Sequence, residues 1–348
     1  MSTPPNSAPE ARSGLPLIAW IGFGVSALCL AWFFRDVSWS ELAGAFAGAS
    51  YVYIVPTLVL NLVTYPIRVY RWYYLLPRDP ASTFRNRFSA TVIGFMATSI
   101  FPLRAGELVR AATFTLKTGI PIGTSLASIV LERVFDLIVV LMGLGICLVW
   151  LPRPAGSGAV HFALAEKAGL LFSGLVVAIV AFVLMLKVRP GWVLAPTRWV
   201  LDRLPKSLSA KADGLIESIV SGLVIVQGPG ELAWLLVLSI VHWSVAISGI
   251  WICARSFHLE ISPLGALLIF VFSSLSVALP QAPGFLGVFQ VAIEASLAVL
   301  GASSVNAKGF ALVYWALCIV PITLTGFLAL YGEGLSLAQV RSSSIPAP

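Results

Sequence analysis

The sequence predicts an all-α polytopic membrane protein, with about six full transmembrane helices plus two Pro/Gly-broken re-entrant hairpins in an inverted repeat, or eight spans if the hairpins are counted as crossings. Three observations lead there. The 348 residues are 58% hydrophobic and only 11% charged, against about 25% charged in ordinary soluble domains. Apolar runs long enough for a hydrocarbon core of about 30 Å recur along the whole chain. The basic residues between those runs alternate in density, as the positive-inside rule asks of a chain that crosses repeatedly.

Residues 1–14, rich in Pro, Ser and Ala, are expected to form a disordered cytoplasmic tail. The run 15–34 follows Arg12 and could pass for a signal peptide. Its apolar stretch exceeds the roughly 7–15 residues of a secretory h-region, so it is expected to stay as an anchor. The run 51–67 returns across the membrane, and 68–87 carries Arg68, Arg71, Arg78, Arg85 and Arg87 against Asp79, which makes it cytoplasmic. Next comes a pair, 86–101 and 106–116, broken by Pro102 and Gly106. A full crossing here would put Arg104, Arg110 and Lys117 outside, whereas a hairpin that enters from the cytoplasm and returns to it keeps the charge order.

The run 124–150 then crosses outward and 168–187 crosses back to the basic segment 187–213, with 208–227 an amphipathic stretch at the cytoplasmic interface. The run 231–254 crosses outward again. A second broken pair, 262–279 and 284–300, enters and leaves from the outer side, and 309–332 returns to a cytoplasmic tail at 333–348. Segments 35–50, 151–167 and 255–261 fall outside. One membrane domain, 15–332, therefore holds half-repeats at about 51–150 and 231–332. SIFPLRAGEL at 99–108 and VALPQAPGFL at 277–286 share Pro-x-x-x-Gly at Pro102/Gly106 and Pro280/Gly284. Trp39, Tyr51, Tyr70, Trp72, Tyr73, Tyr74 and Trp150 sit at span ends and read as an aromatic belt.

A charge inside a lipid-embedded helix costs about 2.5–3.5 kcal/mol on insertion scales, so each one within these runs calls for a reason. In PLRAGELVR, Arg104, Glu107 and Arg110 recur every three residues after the Pro-Gly break. The freed backbone N–H groups around Gly106 and the positive end of the returning half-helix suit an anion, above all a phosphate. The alternative is a hairpin tip that snorkels to the surface with Glu107 pairing its arginines, but such a tip would not need a Pro-Gly break inside an apolar run.

In LERVFD, Glu132 and Asp136 share a helix face with Arg133 close by, about 12 Å into the run and near the membrane centre. Their expected partners are the arginines of the first hairpin. A head-group site and a purely structural ion-pair cluster both account for them. Arg68 and Arg71, one turn apart, could hold a lipid phosphate, but they serve the positive-inside rule in any case, and that is the favoured account. In the second half, Pro283, Gly284, Gly287, Gln290 and Glu294 surround a Gly-rich break, with Glu294 a possible proton carrier. His242 reads as a packing hydrogen-bonder.

Other chemistry is not indicated. Cys29, Cys147, Cys253 and Cys318 lie scattered in apolar runs and read as small core residues. No metal-spaced set, nucleotide loop, nucleophile elbow or catalytic triad stands out, so no cofactor, metal or enzymatic activity is expected. The net charge of +7 is spread over loops beside spans, an orientation signal and not a nucleic-acid surface.

Read together, FPLRAGELVRA, SLASIVLERVFDL and PGFLGVFQ resemble the motifs of the lysylphosphatidylglycerol synthase transmembrane, or flippase-like, family over about residues 15–332. The resemblance implies a lipid-handling domain of the bacterial inner membrane, without the soluble aminoacyl-transferase domain of full-length synthases. It draws attention to Pro102, Arg104, Gly106, Glu107 and Arg110, to Glu132, Arg133 and Asp136, and to Pro283, Gly284 and Gly287. The family's third motif commonly reads Pro-Gly-Gly-x-Gly followed by Glu; here Phe285 and Gln290 replace a Gly and that Glu. The expected function is movement of an anionic-head-group lipid, of phospholipid or polyprenyl-phosphate type, between leaflets. A membrane-embedded enzyme or accessory subunit of lipid, lipid-linked glycan or hopanoid synthesis is the alternative. Expected partners are the membrane lipid and, on either reading, lipid-biosynthesis enzymes.

Overall fold

The computed structural model describes residues 17–101, 105–152, 228–277, 279, 281–302 and 304–334, with scattered positions between 163 and 191. The span expected at 168–187 largely, the stretch 208–227, the tail 1–14 and Pro102, Arg104 and Pro280 lie outside the described residues. Among the described residues every regular element is helical.

Helix α1 (Leu17–Phe34) bends by 82° into α2 (Trp39–Ala47). The sequence reading makes 35–50 a plain outer loop. Ser38, however, accepts a hydrogen bond from the Glu41 N–H and starts a helix there, the Ser-x-x-Glu start signal. After a 3-10 turn (Tyr51–Tyr53), α3 runs over Ile54–Tyr73. It continues through Pro66, past the predicted end of the run at 67, and so carries Arg68 and Arg71 within the helix. Helices α4 (Phe84–Ile100) and α5 (Gly106–Thr118) form the first hairpin, with Gly119 closing α5 at φ 74 in the left-handed cap conformation. Then follow α6 (Ile122–Trp150), α7 (Pro229–Ser256), α8 (Pro263–Val277), a 3-10 turn (Pro283–Phe285), α9 (Val288–Val299) and α10 (Ser304–Gly332).

Four of these helices, those through Tyr51–Tyr73, Ile122–Trp150, Gly230–Ser256 and Val305–Gly332, are long and apolar enough to cross a bilayer, and the bent α1–α2 pair would make five. The order of long helix, broken hairpin, long helix occurs twice, as α3, α4–α5, α6 and as α7, α8–α9, α10.

The two hairpins open at opposite ends of the bundle. Both limbs of the first meet the end of α10, because Glu333 accepts a hydrogen bond from Ser89 of α4 at 2.7 Å and pairs with Lys117 of α5. The start of α7 lies at that end too, where Glu231 faces Arg78 at 3.9 Å. The far end of α7 reaches the second hairpin's mouth, where the Trp251 indole donates to Ile261 O at 3.0 Å. There Leu300 packs 3.0 Å from where a Cβ on Gly265 would sit. The tips meet between the two mouths: a Cβ on Gly284 would lie 3.5 Å from Ser99 O.

Close helix contacts rest on glycine, as in many membrane bundles. A Cβ on Gly106 would fall 2.0 Å from both Gly94 O and Thr98 Oγ1, and one on Gly326 would fall 2.3 Å from Met96 Cβ. The main apolar core lies around α7, α8, α9 and α10, with Phe257, Phe270 and Phe310 buried. A second cluster gathers Trp72, Leu75, Phe114, Ile129 and Leu235. Trp72 is thus core, not aromatic belt. Its indole donates to Ser128 Oγ, and its ring lies under the Arg110 guanidinium.

The Glu333 clasp lies beyond the spans and carries a pH dependence. The Lys117 ammonium foremost, with Ser89 and Arg85, holds the Glu333 carboxyl below its usual 4.5. A carboxyl lowered by folding stabilises the fold above its ordinary value and loses that contribution as pH falls through the lowered one. Acidifying below about 4.5 is therefore expected to loosen α10 from the first hairpin. Once the intrinsic pH dependence of amide exchange is divided out, protection in the last turn of α10 should fall on acidification in the wild type and stay unchanged in Glu333→Gln.

Candidate functional site

The described residues bring most of the charges buried within spans into one network in the half of the bundle toward which the first hairpin opens. They come from three helices, each for a local reason. Arg68 and Arg71 lie one turn apart on the buried face of α3, which also presents Thr57, Asn61 and Thr64. Arg110 is carried by α5 one turn beyond Gly106, whose missing side chain lets that helix close onto α4. Glu132 and Asp136 lie one turn apart on α6, with Arg133 next to Glu132.

Glu132 is fully buried at the centre. Its Oε1 faces Arg68 Nη1 at 2.9 Å, Arg133 Nη2 at 2.6 Å and Arg71 Nη2 at 3.4 Å, while Oε2 accepts from Arg110 Nη2 at 3.0 Å. Asp136 Oδ1 accepts from Arg71 Nη1 at 2.7 Å and from the Trp243 indole at 2.9 Å; Oδ2 lies 3.2 Å from Arg133 Nη1. Arg133 reaches out to Glu107 at 3.6 Å, and these two side chains, 30% and 41% exposed, form the open rim of an otherwise buried network.

Helix α7 closes the inner side. Arg71 donates to Ser239 Oγ at 2.8 Å, and Arg68 Nη2 stands 3.0 Å from His242 Nε2. A guanidinium can only donate, so Nε2 accepts and the imidazole proton resides on Nδ1, which has no partner within the protein. The Arg68 guanidinium also lies over the rings of Phe95 and Trp243.

The sequence reading and this geometry differ at two arginines. Arg68 and Arg71 are not loop or snorkelling arginines; they are buried and ion-paired because α3 runs on past Pro66. Glu132 lies about 15 Å along the 29-residue α6 and Asp136 at its middle residue. Sequence pattern leaves Ser239 and Trp243 unassigned and reads His242 only as a packing hydrogen-bonder, because single polar residues in an apolar run carry no pattern; the polar stripe of α3 at three- and four-residue spacing was the available signal.

The second hairpin does structural chemistry. Gly284 at φ 70 turns its carbonyl to the Trp315 indole at 2.6 Å, and Gly287 at φ 88 lies where a Cβ would strike Ser26 O at 2.5 Å. Gln290 Oε1 accepts from the Gly287 N–H at 2.7 Å and caps α9, a task a carboxylate would do equally well. Phe285 sits at φ 62, a conformation that favours glycine, at the position where the resemblance leads one to expect glycine. Glu294 pairs with Lys308 of α10 at 3.5 Å. Ser99, Pro283, Gly284, Leu286, Trp315 and Leu324, among others, line an apolar cavity of about 330 Å³ between the hairpin tips. No group of His, Cys, Asp and Glu suited to a metal ion occurs among the described residues.

Residues 19–326 match the family described as lysylphosphatidylglycerol synthase TM region. The chain is also similar to the Haloferax volcanii protein named Glycosyltransferase AglD, 24% identical over 315 residues that cover 84% of this chain and 50% of that protein. The match thus spans about half the length of that curated relative.

Proposed function

This chain belongs to the lysylphosphatidylglycerol synthase transmembrane-region family, and from that membership we propose that its arginine network binds the phosphate of an anionic lipid and that the protein carries this lipid between leaflets. The observation that carries the reading is a surplus of buried positive charge. Among the described residues, Arg68, Arg71, Arg110 and Arg133 are paired with Glu107, Glu132 and Asp136, four cations to three anions. The Nε groups of Arg71, Arg110 and Arg133 have no hydrogen-bond partner within the protein. An unbalanced buried cation is costly, and a phosphate both neutralises it and accepts the spare N–H groups. The exposed Arg133–Glu107 rim is the way in. The cavity at the hairpin tips offers apolar surface for a tail. On this reading the network faces the cytoplasm of a bacterial inner membrane, which the basic residues of segment 68–87 support through the positive-inside rule.

Removing one arginine relieves the surplus, so Arg110→Gln should insert and purify normally. In liposomes of phosphatidylcholine with a trace of fluorescent phosphatidylglycerol, the wild type is expected to move the probe between leaflets without ATP. Arg110→Gln should be at least about tenfold slower, the loss of one charge-assisted hydrogen bond. Equal rates in the two would count against the reading. A second reading, a membrane part of lipid-linked glycan synthesis, draws on the partial match to a protein named as a glycosyltransferase. Covalently altered polyprenyl phosphate after incubation with the purified protein and a sugar donor would favour it.

A further inference from the structure

Beyond the arginine network, α3 remains polar on its buried face. Thr57, Asn61 and Thr64 lead along the helix to Arg68 and Arg71, while Val55, Val59 and Val63 on the other side are exposed as lipid-facing residues are. Helix α7 lies antiparallel against that face in a single register: Arg71 meets Ser239, Arg68 meets His242, and Thr57 lies beside Cys253. Cys318 of α10 completes the wall, its thiol 3.9 Å from Asn61 Oδ1.

A stripe of polar side chains is expensive in a membrane unless its groups are satisfied or it serves a polar passenger. Thr57 and Thr64 are satisfied, since their hydroxyls donate back to Tyr53 O and Asn61 O at 2.8 and 2.6 Å. Asn61 is not. Its side chain is buried, its oxygen has only the thiol, and Nδ2 has no hydrogen-bond partner within the protein. A second unpartnered donor, His242 Nδ1, stands farther along the same seam. Asn61 lies about 10 Å from Arg68 and about 10 Å from the other end of α3. The seam therefore places one donor between the network and the opposite leaflet.

We infer that the α3 face from Thr57 to Arg68, closed by Ser239, His242 and Cys253 of α7 and by Cys318 of α10, is the path of the phosphate head group, with Asn61 its hydrogen-bonding station part-way across. The inference rests on the lipid-moving reading and extends it from where the head group binds to how it crosses. A phosphate that leaves the arginines meets the two free donors in turn.

The test separates binding from movement. Asn61→Leu removes an unsatisfied buried donor, so it should fold at least as well as the wild type. It is expected to retain co-purifying phosphatidylglycerol, measured by native mass spectrometry, while moving the fluorescent probe about tenfold more slowly. Asn61→Gln, which keeps the amide, should restore most of the rate, and Asn61→Ala should behave as the leucine variant does. Wild-type rates in Asn61→Leu would overturn the path and leave the arginine site standing. Loss of lipid binding in Asn61→Leu would overturn it also, since Asn61 would then be shaping the network. A wild type that moves no lipid would sink the reading on which the path depends.

Discussion

Replacing Glu132 by glutamine is expected to destabilise the protein by about 3–5 kcal/mol, the cost of leaving a buried charge without its partner. The carboxylate receives Arg68, Arg110 and Arg133 at 2.6–3.0 Å and is wholly buried. Its amide replacement keeps one acceptor oxygen, gains an N–H₂ that faces guanidinium donors, and raises an existing positive surplus. Thermal unfolding in detergent, followed by loss of the monodisperse species, measures the effect. Glu41→Gln on the exposed surface of α2 should stay within about 0.5 kcal/mol of the wild type. Adding Arg110→Gln to Glu132→Gln should recover part of the loss, because the two groups touch and their effects cannot simply add. A Glu132→Gln protein as stable as the wild type would mean that the network is not the buried, charged unit described here.

Gly106→Ala should be nearly as damaging, for a reason of space and not charge. The added methyl would lie 2.0 Å from Gly94 O and 2.6 Å from the Thr98 N–H nitrogen, both backbone atoms that cannot swing away. Overpacking a tight contact costs about 1–3 kcal/mol and sometimes more, and here relief comes only by separating α5 from α4. Such separation would draw Arg110 off Glu132, so lipid movement should fall along with stability. Gly145 of α6 has nothing within 4 Å, and Gly145→Ala should be neutral or gain up to about 1 kcal/mol through helix propensity. Indistinguishable melting of the two variants would refute the close contact.

The broken hairpins were legible in the sequence because Pro and Gly interrupt apolar runs at Pro102/Gly106 and Pro280/Gly284. Glu132 and Asp136 were legible too, since a carboxylate deep in an apolar run has few innocent explanations. Arg68 and Arg71 were not. Basic residues at the cytoplasmic end of a span satisfy the positive-inside rule whether they reach water or turn inward, and only the continuation of α3 past Pro66 decides between the two. The α7 partners depended on a pairing register between segments more than a hundred residues apart, which no local pattern encodes. Phe285 shows the opposite case: the missing glycine was visible as a departure from a motif, and its left-handed backbone is the physical reason that a glycine suits that place.

Helix α10 is fastened to both hairpins, and that makes it a lever. On its first half, Lys308 pairs with Glu294 and Trp315 holds the Gly284 carbonyl, so it is tied to the second hairpin. On its second half, Gly326 seats on Met96 and the end of the helix is clasped through Glu333, so it is tied to the first. Between the two sets of fastenings stands Pro321, which lacks an N–H and leaves the turn before it without one backbone bond. A displacement of either hairpin would therefore load α10, and the turn before Pro321, short of one backbone bond, is where the helix would bend first.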